Sequence, residues 1–138
     1  MLAFKKMEKT RKAMKHINKN NENPEETFQL DSLNINDRLA NSLAKSIKSM
    51  PKIISLSLTN TLLSDTGFAI LAKVSSKTLK KLDISYNDML SSKTYRMIAV
   101  SFRRLEFLNL ERNFIKDEGL KALLSPVIDD KDEVDIED

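Results

Sequence analysis

The sequence contains no cysteine and only one histidine, and these two shortages exclude several chemistries. Without cysteine there is no disulfide framework, no thiolate nucleophile and no zinc site built on sulfur. One histidine is too few for a multi-histidine metal cluster. The two glycines, Gly67 and Gly119, lie far apart in the chain, so neither the GxGxxG motif nor the P-loop pattern can be written. We therefore expect that the protein binds no metal or cofactor.

Long apolar runs are also missing. No run approaches the roughly 18 residues needed to span a bilayer. The first six residues, Met1 to Lys6, lack the apolar core of a secretory signal. The 138 residues are 41% hydrophobic and 31% charged, which is enough apolar material for the core of one domain. We expect a cytoplasmic protein.

Charge is distributed unevenly along the chain. Residues 1–20 hold seven basic residues against one acidic, residues 129–138 hold seven acidic against one basic, and the middle is nearly balanced. The acidic tail has only Val134 and Ile136 as apolar residues, so its composition predicts disorder. A polar run ending at Pro24 separates the basic segment from the rest. The sequence thus predicts a basic segment with linker over 1–23, one folded domain over 24–128, and a tail over 129–138.

The predicted domain contains three segments with the same spacing of apolar residues. They begin at Ile53, Leu79 and Leu105, so their starts are equally spaced, and each has apolar residues at the first, fourth, sixth and eleventh positions. Apolar residues at helical spacing follow each segment. An exact period with matched apolar positions indicates a stacked repeat architecture.

A fourth copy lies upstream, and two registers compete for it. A register starting at Leu30 fits the leucine spacing but leaves the helix three residues short and loses the aspartate. A register starting the strand at Phe28 places Asp37 and Leu43 where the next copy has Asp65 and Leu71. We prefer the second register because it matches strand, turn and helix together.

Three aspartates lie at the predicted starts of helices. They are Asp37, Asp65 and Asp117. We interpret them as N-terminal acceptors for free backbone N–H groups, and we assign them no catalytic role.

These motifs resemble the leucine-rich repeat family, in the long-repeat subclass typified by ribonuclease inhibitor, over about residues 25–128. The resemblance implies an α/β fold: a short solenoid of about four repeats with a parallel concave sheet and convex α-helices. The asparagine that ladders backbone groups in this family is present at Asn87 and Asn113, whereas Thr61 and Leu33 stand in the other copies. Lys93 replaces the usual glycine in one copy. These departures predict less regular turns and leave the fold intact.

The concave face is the predicted working surface. Alternate residues of a strand face opposite sides, and helices cover only one side of the sheet, so the other stays open for a protein partner. Aromatic residues and arginine are the usual anchors of such interfaces. The predicted protein-binding residues are Ser55, Ser57, Lys81, Asp83, Tyr86, Phe107, Asn109 and Arg112. The alternative for Phe107 is that it lies under the segment 127–138 or packs on a neighbouring strand.

The segment 3–17 has the pattern of a basic amphipathic helix. Such a helix can bind an anionic membrane, a calmodulin-like groove or nucleic acid, but we favour a solvated or capping helix. No aromatic residues alternate with its lysines from Lys5 to Lys15, which disfavours nucleic acid. His16 lies in this segment, so we interpret it as a surface residue.

We predict a non-enzymatic protein–protein interaction module, either alone or as a subunit of a larger assembly, with no small-molecule substrate. One alternative is a regulatory domain similar to the leucine-rich activator of the Ran GTPase, which would have many more repeats. A second is a cytoskeletal domain similar to tropomodulin. A third is a subunit docked through its basic N-terminal helix. These alternatives are analogies of fold, and fold alone does not determine function.

Overall fold

Four strands alternate with four helices in the computed structural model, which describes residues 26–49 and 53–124. The elements are β1 (Glu26–Gln29), α1 (Asp37–Lys48), β2 (Ile53–Ser57), α2 (Asp65–Ser75), β3 (Lys81–Asp83), α3 (Ser92–Ser101), β4 (Phe107–Asn109) and α4 (Asp117–Leu124). The predicted basic segment 1–23 and acidic tail 129–138 lie outside the described residues.

The strands form one parallel sheet in the order β1-β2-β3-β4. Parallel neighbours need a crossover, and a helix supplies it in each repeat. The pairing follows the sequence period, because Leu82 lies opposite Leu56 on one side and Leu108 on the other. The predicted short α/β solenoid is confirmed.

The first repeat uses the preferred register. Phe28 lies opposite Leu56, and helices α1 and α2 begin at Asp37 and Asp65. These two pairs have the same separation in sequence, which is two residues longer than the separation of Leu56 and Leu82. The later strands pair at the shorter spacing that the three downstream motifs share.

The core lies between the sheet and the helices. Leucines and isoleucines of the strand motif point into it, and Leu82 and Ile84 are fully buried. Their equivalents in the last repeat, Leu108 and Leu110, are only partly buried. Burial of each such side chain contributes roughly 1.5–3 kcal/mol, so this layer holds the fold together.

Each of the first three helices begins with a side-chain cap, but the predicted caps are wrong. The capping residues are Asn36, Ser64 and Ser91. Asp37 and Asp65 are instead the first helical residues, and Asp117 is the first residue of α4. For Asp37 and Asp65 the physical reason is that the preceding asparagine or serine takes the extended backbone that an N-cap needs.

The aspartates join neighbouring repeats. Asp37 accepts a hydrogen bond from the Ser64 hydroxyl at 3.0 Å. Asp65 accepts from the Ser91 amide at 2.9 Å, the Ser91 hydroxyl at 2.6 Å and the Thr94 hydroxyl at 2.6 Å. Partial burial alone would raise the pKa of Asp65, but these hydrogen bonds and the charge of Lys93 bring that pKa below its ordinary value. The carboxylates thus link the N-termini of successive helices.

A buried asparagine links the turns in the same way. The Oδ1 of Asn87 accepts from the amides of Thr61 and Leu63, both at 3.1 Å. Its Nδ2 donates to the carbonyls of Leu58 at 2.8 Å and Ile84 at 2.9 Å. The backbone groups that face the core at these turns are thereby satisfied, as buried polar groups require.

Candidate functional site: the concave face

The predicted strand residues lie in two rows across the open face of the sheet. The pairing of β2, β3 and β4 sets the rows Ser55–Lys81–Phe107 and Ser57–Asp83–Asn109. The outer row lies toward the beginning of the strands and the inner row toward their ends. All six predicted strand residues are therefore brought together on one surface.

The inner row is tied together by hydrogen bonds around Asp83. Its carboxylate accepts from the Ser85 amide at 3.0 Å, the Ser85 hydroxyl at 2.6 Å and the Asn109 side-chain amide at 3.2 Å. The Asn109 Oδ1 accepts in turn from the Glu111 amide at 3.0 Å. Asp83 and Asn109 thus use their polar atoms within the protein.

Asp31, in the turn after β1, gathers a similar set of hydrogen bonds at the β1 end of the sheet. It was not among the predicted site residues. Its carboxylate accepts from the side chains of Gln29 and Ser57, each at 2.7 Å, and from the Thr59 amide at 2.9 Å. Partial burial raises its pKa, but the hydrogen bonds outweigh burial, and the pKa of Asp31 is lowered. A sequence signal existed, because Asp31 lies 28 residues before Thr59, in a column of equivalent turn residues.

A pair of hydroxyls connects the two carboxylates. Thr59 Oγ1 and Ser85 Oγ are 3.2 Å apart. We call the whole series, from Asp31 and its donor Ser57 through Thr59, Ser85 and Asp83 to Asn109, the polar ladder. It fixes the shape of the concave face across all four repeats.

The remaining predicted residues are exposed in two pairs. Lys81 and Phe107 lie opposite each other on β3 and β4, and Phe107 is 52% exposed. Tyr86 and Arg112 occupy equivalent turns beyond the ends of the same strands, and Tyr86 is 48% exposed. We call these the strand pair and the turn pair. The polar ladder runs between them.

The backbone holds the turn pair in an unusual conformation. Tyr86 and Arg112 have φ of 57° and 58°, in the left-handed region. This conformation costs a residue other than glycine about 1–2 kcal/mol. Ser32 and Asn60, at the equivalent turns, share it with φ of 60° and 54°. The same turn in every repeat therefore holds each side chain at a fixed place beside the sheet.

The face offers binding groups. Within the described residues no three side chains of the metal-ligating types lie close enough to hold an ion. The carboxylates of Asp31 and Asp83 are occupied by hydrogen bonds, whereas the strand pair and the turn pair are open to solvent. Both pairs combine an aromatic ring with a basic side chain, and such exposed groups can contact the surface of another protein.

The family model described as Leucine Rich repeat matches residues 75–93 and 104–124. These segments contain β3 and β4, the two strands that carry the exposed pairs. The matches support a leucine-rich repeat protein. Leucine-rich repeat domains generally mediate protein–protein interactions and are typically non-enzymatic. No curated protein matches the sequence. No helix in the described part of the chain combines the length and the apolar character needed to cross a membrane.

Proposed function

We propose that this chain is a non-enzymatic interaction module that binds a protein partner through its concave face. The strand pair is the observation that carries the proposal. Phe107, half exposed, lies opposite Lys81 on a sheet face that none of the described helices covers. Leaving a large aromatic side chain in water is unfavourable, and aromatic residues are enriched among the anchors of interfaces.

Seven of the eight predicted residues take one of two roles in this proposal. Lys81, Phe107, Tyr86 and Arg112 contact the partner. Ser57, Asp83 and Asn109 hold the face rigid through the polar ladder, which lowers the entropy lost on binding. Ser55 completes the outer row and lies on the partner's side of β2.

We also place the chain in the long-repeat subclass, with the repeat domain over 24–128. Each described strand is followed by an α-helix of 8 to 12 residues. Equivalent turn residues of successive repeats lie 28 residues apart for Asp31 and Thr59, and 26 residues apart for Thr59 and Ser85. Both features are expected of that subclass.

The test replaces one anchor of each pair. The full chain captures its partner from a native lysate, and the affinity of the purified partner for a Phe107→Ala, Arg112→Ala variant is then measured. We expect binding to weaken by about 2 kcal/mol or more, which is roughly 30-fold. The melting temperature should change little, because both side chains are exposed. The matched control is Lys73→Ala on α2, an exposed residue of the convex side, which should alter neither quantity.

The opposite result is equally specific. If the double variant binds normally while glutamine at Lys5, Lys6, Lys9 and Lys12 abolishes binding, the basic segment carries the interaction and the concave-face proposal is wrong. If the partner in that case is a nucleic acid, its affinity will also fall steeply between about 50 and 200 mM salt.

A further inference from the structure

The last described repeat has an open side. Leu108 and Leu110 are only partly buried, whereas their equivalents Leu82 and Ile84 are fully buried. Strand β4 has β3 on one side, and within residues 26–49 and 53–124 no strand lies on the other. A terminal repeat normally needs a cover with a polar outer face.

Two backbone amides on this side lack, within the described part of the chain, the acceptor that their equivalents have. The amides of Leu30, Leu58 and Ile84 each donate to a carbonyl in the next repeat, at 2.9, 2.8 and 3.1 Å. Leu110, the next in this series, finds no acceptor in the described part of the chain. The amides of Ser32, Asn60 and Tyr86 likewise donate to carbonyls in the next repeat. Arg112 is the next member of this second series, and its amide finds no acceptor among the described residues.

The repeat period continues into the acidic tail. Val134 follows Leu108 at the spacing that separates Leu108 from Leu82, and Ile136 follows Leu110 at the same spacing. These are the two apolar residues of the tail, and their alternation with acidic residues is the pattern of a strand that has one side buried. Ile128 also lies one such period after Phe102, which is buried.

The charged residues of the tail support this register in part. Three acidic residues fall one period after three exposed arginines: Asp129 after Arg103, Asp130 after Arg104 and Asp138 after Arg112. Two acidic pairs oppose it: Asp132 with Glu106 and Glu137 with Glu111. Exposed charge pairs contribute little, so the apolar positions decide the register.

We infer that the outer side of β4 is a docking site for an acidic strand with apolar residues at alternate positions, and that its occupant is residues 131–138 of this chain. Val134 then lies opposite Leu108, and Ile136 opposite Leu110. By the period, the Leu110 amide donates to the Asp135 carbonyl and the Arg112 amide to the Glu137 carbonyl. This differs from the disorder that composition predicts for the tail. The concave face stays open, so the proposed function stands or falls separately.

The connecting segment is long enough for this arrangement. Strand β4 begins six residues after α3 ends, whereas Glu133 lies nine residues after the end of α4. An extended residue spans about 3.3 Å, so the extra residues add reach.

Hydrogen exchange on the full chain, followed amide by amide with nuclear magnetic resonance, tests the inference. We expect protected amides at Leu110 and Arg112, and magnetisation transfer between the methyl groups of Leu108 and Val134. In a Val134→Ser, Ile136→Ser variant, exchange at these two amides should accelerate at least tenfold. The matched control, Asp135→Ser with Glu137→Ser, keeps both carbonyls and should leave the two amides protected.

Hydrogen exchange and methyl contacts in the unaltered chain test the inference by themselves, even if the double variant loses stability. Rapid exchange at Leu110 and Arg112, or no methyl contact with Val134, would establish the disordered tail and overturn the inference. Protection that increases with protein concentration would place a second copy on β4 and would overturn it as well.

Discussion

Replacing Asp65 with asparagine tests the link between the second and third repeats. The substitution keeps the size of the side chain and removes its charge. In the structure the carboxylate accepts three hydrogen bonds from α3 and its cap, between 2.6 and 2.9 Å. An asparagine offers one oxygen in place of two, so at least one of these donors loses its acceptor.

The expected cost follows from those contacts. A hydrogen bond to a charged group contributes roughly 1.5–3 kcal/mol when it is buried. Asp65 is partly exposed, and solvent screening reduces that figure, so we expect Asp65→Asn to lower the free energy of unfolding by about 1–2 kcal/mol at neutral pH. For a chain of this size the melting temperature should fall by about 3–8 °C.

The dependence on pH identifies the cause. The pKa of Asp65 in the folded protein lies below its ordinary value of 3.8. A carboxyl group with a lowered folded pKa stabilises the protein above its unfolded pKa, and this stabilisation is lost as the pH falls through the folded pKa. Urea unfolding of both proteins should therefore show the full difference at about pH 7. The difference should begin to shrink near pH 4 and close at lower pH.

Two results would refute this account. One is equal stability of the two proteins at neutral pH, and the other is a difference that persists undiminished after Asp65 has been protonated. Asp88→Asn is the matched control, because Asp88 is exposed and makes no hydrogen bond with the described residues. We expect that substitution to leave the unfolding curve unchanged at both ends of the pH range.

Two further predictions concern packing. Leu82→Asp should unfold the protein, because an unpaired carboxylate at this fully buried position costs several kcal/mol of a total of about 5–15 kcal/mol. Circular dichroism would show the unfolding as a loss of the α/β signal. A cooperative melt would mean that the repeat register is wrong. Gly119→Ala would place a Cβ 2.7 Å from the buried ring of Tyr95, so we expect a net loss of about 1 kcal/mol after the gain in helix propensity. Gly67→Ala would place its Cβ 3.2 Å from the end of the Leu63 side chain and 3.4 Å from the Ser64 hydroxyl, so we expect it to be nearly neutral. The reverse order of urea midpoints would contradict this packing.

The sheet could be predicted from the sequence because its spacing repeats. Each copy places two core residues at alternate positions of a strand, and one period then sets which residues pair. Even the weak first repeat was resolved, because only the register starting at Phe28 aligns Phe28 with Leu56 and Asp37 with Asp65 at once.

The polar contacts could not be predicted in the same way. Ser64 and Asp65 are both good N-caps, and only the backbone geometry decides that Ser64 takes this position. Asp31 follows a four-residue strand, and its role depends on where that strand ends. Asp83 was predicted to bind a partner, but the sequence does not show that Ser85 and Asn109 already occupy its carboxylate.

The width of the sheet sets the size of what can rest on it. Neighbouring strands are about 4.8 Å apart, so three intervals put β1 and β4, the outermost of the described strands, roughly 15 Å apart. That is little more than the diameter of one α-helix, which is about 10–12 Å with its side chains. A standard interface covers about 800 Å² on each partner. A ligand seated only on the strands is thus a single helix, an extended peptide or a protruding loop, and a broad globular partner must also contact the turns or the helices.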